Sequence, residues 1–218
     1  MSSAVIQLLV LAGIAVFLIL RLKDVLGTRD GFEKPPASAP TETNKRPEFE
    51  VIEGGPDHDI IEHVKEDSKA ALALAAMKGA EPTFGVSEFL GGARGAYEMI
   101  LMAFESGDLE KIKPFLSAEV FETFSEVVAA REKKGLSIDA NFVGVRELTL
   151  SRAEFDKTSQ EGEITVKFVG ELTSVVRDKD GEIVEGNQDE IKRQKDIWTF
   201  GRVMGADNPN WQLVATGE

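Results

Sequence analysis

The chain contains no cysteine, two histidines, two tryptophans and a single tyrosine. Without cysteine there is no disulfide, no thiolate nucleophile and no thiolate-bound metal. The histidines, His58 and His63, lie five residues apart. Metal ligands on a helix need a spacing of three or four to share a face, so this pair predicts no metal site. A phosphate-cradling loop is also missing. The densest glycine stretch, Gly91-Gly92-Ala93-Arg94-Gly95, lies inside an apolar stripe of helical period and follows no strand. Cations are scarce as well: 25 Lys and Arg against 38 Asp and Glu give a formal net charge of −13. Binding a phosphate backbone needs the opposite sign, which excludes nucleic acid as a partner. The same charge opposes docking of the whole body onto anionic lipid. Nothing in this inventory implies a cofactor.

What the sequence does have begins at its N-terminus. "MSSAVIQLLVLAGIAVFLIL" contains no charged side chain. As a helix it spans roughly 30 Å, the thickness of a bilayer core. Val5, Leu9, Ile14, Phe17 and Leu20 are representative of its apolar surface. A cleaved signal peptide would carry Lys or Arg before the run and a small-residue cleavage site after it. Here Arg21 and Lys23 follow the run, so residues 1–22 are expected to form an uncleaved single-span anchor. Basic residues stay on the cytoplasmic side, which places the N-terminus outside and the body in the cytoplasm, at the inner (cytoplasmic) membrane. Residues 23–56 read as a polar tether: five of the eight prolines fall between 35 and 56.

Residues 57–79 return to helical spacing, through Ile61, Val64, Ser68, Ala71 and Ala75. Asp57 and Asp59 suit the positive end of this amphipathic helix. Its face is small, which predicts weak packing, or packing only against a partner. From Val86 one stripe persists over five turns: Phe89, Leu90, Ala93, Tyr97, Ile100, Leu101 and Phe104. Gly91, Gly92 and Gly95 inside it each cost about 1 kcal/mol relative to Ala, which predicts close approach of another backbone. Gly107-Asp108 ends the helix, a short helix follows, and Ser117 caps another that stops at Lys133-Lys134-Gly135. The period then switches to two, predicting strands at 138–152, 162–176, 188–203 and 211–216, with a turn at Asp180-Gly181. Helices first and sheet second define an α+β fold, with helices packed on one face of a curved antiparallel sheet. That order fits a nuclear-transport-factor-two-like cone, which holds a cavity between helices and sheet.

Both tryptophans lie in "DIWTFGRVMGADNPNWQLVAT". Strand alternation puts Trp198 and Phe200 on one face, and Trp211, Leu213 and Ala215 on one face of the next strand. The expected apolar pocket is lined by Trp198, Phe200 and Trp211 on the sheet side, with Phe89, Tyr97, Ile100 and Phe104 opposite. Asp196 shares their parity and is expected at the rim, paired with Arg202 or Lys195. Almost no acid–base chemistry accompanies these residues. The aromatic face is either core or the wall of an apolar cavity, which suits a lipid tail, an apolar peptide side chain or nothing at all. The expectation is an adaptor that is not an enzyme, with a carrier or sensor of apolar ligands, and then a cryptic enzyme of the cone-shaped fold, as the alternatives.

Three stretches together, "GARGAYEMILMAFESGDLEKIKPFLSAEVFETFSEVVAAREKKG", "DKDGEIVEG" and "DIWTFGRVMGADNPNWQLVAT", resemble the Tim-forty-four-like domain over residues 80–218. That domain is the C-terminal part of the subunit anchoring the mitochondrial import motor. The anchor and "VLGTRDGFEKPP" look like the anchored bacterial members of the family, the TimA type. The resemblance implies an α+β domain with an apolar pocket, an inner-membrane location, and adaptor work with membrane-protein machinery in place of catalysis. Where the mitochondrial protein carries a long N-terminal segment, a short Pro-rich tether stands here, so a motor-tethering role is not expected to transfer.

Overall fold

Asp57 to Gly217 are the residues that the computed structural model describes. The expected anchor, with Val5, Leu9, Ile14, Phe17, Leu20, Arg21 and Lys23, and the tether lie outside them. Among the described residues no helix is long and apolar enough to cross a membrane.

The elements follow the order helices, then sheet. They are α1 (His58–Ile61), α2 (Lys69–Ala80), α3 (Val86–Ser106), two 3-10 turns (Leu109–Lys111 and Lys113–Phe115), α4 (Ala118–Lys133), β1 (Ser137–Asp156), β2 (Glu161–Arg177), β3 (Ile183–Val203) and β4 (Gln212–Gly217). The strands form one antiparallel meander in the order β1-β2-β3-β4. Ile164, Val166 and Phe168 of β2, and Trp198 and Phe200 of β3, share a core with Leu90, Tyr97 and Ile100 of α3. The α+β architecture with helices against an antiparallel sheet is as expected, and it agrees with the cone-type arrangement.

Three expectations are corrected. Residues 57–79 are not one helix. Asp67 takes a left-handed conformation (φ 61°), and Ser68, placed on the apolar stripe by its spacing, instead caps α2 through the Ala71 amide. Nor does α2 pack weakly: Leu74 and Met77 are fully buried. No backbone among the described residues approaches the glycines of α3, because a Cβ at Gly91, Gly92 or Gly95 would meet nothing within 4 Å. The close approach occurs instead at Gly170 of β2, where a Cβ would lie 2.6 Å from the Tyr97 hydroxyl.

The start of α3 is built from a distance. Its N-cap, Gly85, has no side chain to offer. Asp59 of α1 supplies the carboxylate, accepting from the Val86 amide at 2.7 Å and the Ser87 amide at 2.9 Å. Lys78 of α2 sits 2.7 Å from Asp59 and 2.8 Å from Asp57. One carboxylate thus satisfies exposed helix donors and complements the helix dipole. At the other end α3 stops at Gly107 in the left-handed conformation (φ 82°).

The last hairpin holds a further correction. Leu213 pairs with Phe200, but Ala215 pairs with Thr199. The irregularity at Val214 inserts one residue, so Ala215 leaves the face that Leu213 occupies.

Candidate functional site

A cleft of about 510 Å³ opens between the N-terminal half of α3, the 81–85 segment, the end of β3 and the approach to β4. The hydrophobic residue before the α3 cap, Phe84, and the one four positions into the helix, Phe89, both line it. These are the staple positions of a helix start. Both rings pack on Trp211, Phe89 edge-on at 4.7 Å and Phe84 at 5.8 Å between centroids. Phe200 adds an edge contact to Phe89 at 5.9 Å, and Phe115 also lines the cleft.

Polar groups at this cleft are mutually engaged. Arg202 meets Glu81 at 2.6 Å, donates to the Pro209 carbonyl at 2.9 Å, and lies with its guanidinium 5.1 Å from the Trp211 ring centroid. This cation–ring contact fixes the indole. Glu81 also accepts from the Gly205 amide at 2.8 Å. Burial pushes the Glu81 pKa up, but the Gly205 amide and Arg202 more than offset it and hold the carboxyl below its usual value. At neutral pH the wall therefore carries a closed ion pair. No histidine lines the cleft.

The predicted residues divide. Phe89, Phe200 and Trp211 line the cleft. Tyr97, Ile100 and Trp198 are buried in the core and are not among its walls. Phe104 lies near the other end of α3, 4.6 Å from the Phe124 ring. The expected pairing of Asp196 with Arg202 or Lys195 is also corrected. Asp196 accepts from the Tyr97 hydroxyl at 2.5 Å and from Gln194 at 3.1 Å. Tyr97 stacks on Phe168 at 4.4 Å and packs on Trp198 at 4.7 Å. Burial first, then the neighbouring carboxylate, raises the Tyr97 pKa well above the usual phenol value. Phe84, Phe115 and Glu81 are among the unforeseen wall residues. The staple spacing of Phe84 and Phe89 was the readable signal for the first of them.

The described residues thus form an α+β domain with an aromatic cleft beside the Glu81–Arg202 ion pair. The family model of the Tim44-like domain matches residues 70–218. The chain belongs to the Tim44-like domain family. It is 27% identical over 161 residues to mitochondrial import inner membrane translocase subunit TIM44-1 of Arabidopsis thaliana, covering 71% of this chain and 34% of that protein. With the human subunit TIM44 it shares 22% identity over 160 residues, covering 72% of this chain and 35% of the relative. The chain thus spans about a third of the length of these curated relatives. Among solved structures, the intermembrane-space region of the chloroplast protein ARC6 overlays 59% of this chain and 94% of its own, with a TM-score of 0.39 and 10% identity.

Proposed function

We propose that this chain is a membrane-anchored adaptor working in protein translocation or membrane-protein assembly at an inner membrane. In this reading residues 1–22 form the single span, the body lies on the cytoplasmic side, and the cleft holds an apolar segment of a partner protein. The chain would then stand with the anchored bacterial branch of the family, and it would not be an enzyme. The observation that carries the reading is the cleft itself. Phe84, Phe89 and Trp211 present an apolar recess, while Glu81 and Arg202 neutralise each other and leave little to drive proton transfer. The named function of the Arabidopsis and human relatives supports the membrane-translocation setting.

The test is photo-crosslinking in intact membranes from a photoreactive phenylalanine analogue placed at position 211 of the full chain. Crosslinks to membrane-protein machinery are expected. Crosslinks confined to lipid acyl chains would replace the adaptor with a carrier of apolar ligands. Turnover of a small molecule that depends on Glu81 would make it an enzyme.

A further inference from the structure

The helices pack on one face of the sheet, and the other face is open. On β2, Ile164, Val166 and Phe168 point into the core, so Glu163, Thr165, Lys167 and Val169 point outward. The register arranges the outer face in rows. Thr165 pairs with Thr199, their hydroxyls 3.0 Å apart, and Thr199 pairs with Ala215. Toward the β1–β2 turn, Glu163 lies between Glu154 and Gly201, and then Glu161 between Asp156 and Val203. On the other side of the threonine row come Lys167 beside Ile197, then Val169 beside Lys195.

Charge is separated along this face. Four carboxylates crowd one end, standing opposite one another in two cross-strand pairs, and like charges so placed destabilise a sheet. Arg152 holds Glu154 at 2.5 Å, and Asp156 accepts from the Thr158 amide at 2.7 Å. Glu161 and Glu163 have no ion pair among the described residues, and neither do Lys167 and Lys195 at the other end. Glu163 and Lys167 cannot serve each other within one chain, because four residues of one strand separate them by about 13 Å. Between the two ends the face is flat and uncharged: Ile197, Thr199, Gly201 and Val203 on β3, and the β4 residues paired with them, carry no charge. Val203 is 47% exposed.

We propose that the open face of the sheet docks a second copy of this chain, across a two-fold axis that runs over the Thr165–Thr199 row. Thr165 is the midpoint between Glu163 and Lys167. The two-fold therefore sets Glu163 against Lys167 of the second copy, and does so twice, so that charges unpaired within one chain are paired between two. Thr199 is likewise the midpoint between Ile197 and Gly201. Ile197 thus falls on Gly201 of the second copy and on the Val214 side chain that covers it. Sheets stack face to face in this way about 10 Å apart. Like charges on β1, with Arg152 on the axis row, keep that strand at the margin. The contact on β2 to β4 measures roughly 27 by 14 Å, less than a standard interface, so the dimer is weak and forms with rising concentration. None of this depends on the adaptor reading.

The chain has no cysteine, so a single introduced one reports proximity. The test uses the full chain in detergent micelles, with T199C at the axis and E122C on the exposed side of α4 as the control. The crosslinker is a bismaleimide just long enough to bridge sheets about 10 Å apart. T199C is expected to give about tenfold more crosslinked dimer than E122C, rising with protein concentration. In the T199C background, E163K and K167E should melt no lower than their parent and should each cut the yield by about fivefold or more. E163K/K167E on one chain should restore the yield to within about twofold, because the swapped charges meet again across the two-fold. Equal yields from T199C and E122C would mean association elsewhere in the chain and overturn the proposal. A yield unmoved by either single reversal, or a double swap no better than the singles, would overturn it equally.

Discussion

Tyr97 and Gly170 occupy one space between them. The ring of α3 lies where a β2 side chain would be, and a methyl at 170 would sit 2.6 Å from its hydroxyl. Gly170→Ala should destabilise the domain by about 1–3 kcal/mol in urea denaturation. Tyr97→Phe should cost about 1–3 kcal/mol, because it removes the donor that serves Asp196. The two should not add: once the hydroxyl is gone, the alanine at 170 costs less, and a double-mutant cycle reads the difference. Asp59 gives a prediction in pH. Burial pushes its pKa up, but Lys78, Ser87 and Val86 more than reverse this and hold the carboxyl well below its usual range. A depressed carboxyl binds fewer protons folded than unfolded, so its contribution is complete above the usual carboxylate range near pH 4 and lost as pH falls below it. Asp59→Asn should cost about 0.5–2 kcal/mol at pH 7, as for a lost cap, and less at pH 3, giving a flatter acid limb in denaturation curves. Strand parity made the inward direction of Asp196 legible. Its partner was not legible, because Tyr97 lies 99 positions away and pairing across layers has no local pattern.

Among elements, α3 is the one whose sequence argues against its own stability. Gly91→Ala, Gly92→Ala and Gly95→Ala should each add up to about 1 kcal/mol, raising the melting temperature by roughly 2–4 °C apiece. Unchanged or lowered melting in all three would mean that the open space beside them is filled in solution. The helix itself was plain from its stripe, and β1 to β3 from their alternation, since burial on one face writes a period into the sequence. The break between α1 and α2 was hidden because serine serves equally on a helix flank and at a cap, and only Asp67 in the left-handed region decides between them. The inserted residue at Val214 was hidden too, since alternation continues on paper through a bulge that shifts it in space.

At the scale of the whole molecule, the sheet's inner face is one continuous aromatic and aliphatic surface, and Trp198 sits in its middle with 4% exposure. Trp198→Ala should cost about 3–5 kcal/mol while leaving the cleft walls in place, so apolar probe binding per folded molecule should not change. The pocket expectation drew Tyr97, Ile100 and Trp198 into the site because periodicity reports which face is inward, not where packing leaves a gap. If the adaptor reading holds, deleting residues 1–34 should leave a domain that melts like the full chain yet fails in cells at native abundance. Overexpression should partly restore function by mass action, read as growth or export in a depleted strain. The placement of Asp59 carries one more consequence. Among the described residues, Asp57 and Asp59 both bond Lys78, and Asp59 also accepts from the amides that open α3. A pulling load applied at Asp57 would be borne by these polar contacts together with the buried Ile60 of α1. A load large enough to strip α1 away would also uncap the long helix at the edge of the cleft, because Asp59 leaves with it, so traction at Asp57 would reach the cleft wall as a fuse passes on a break.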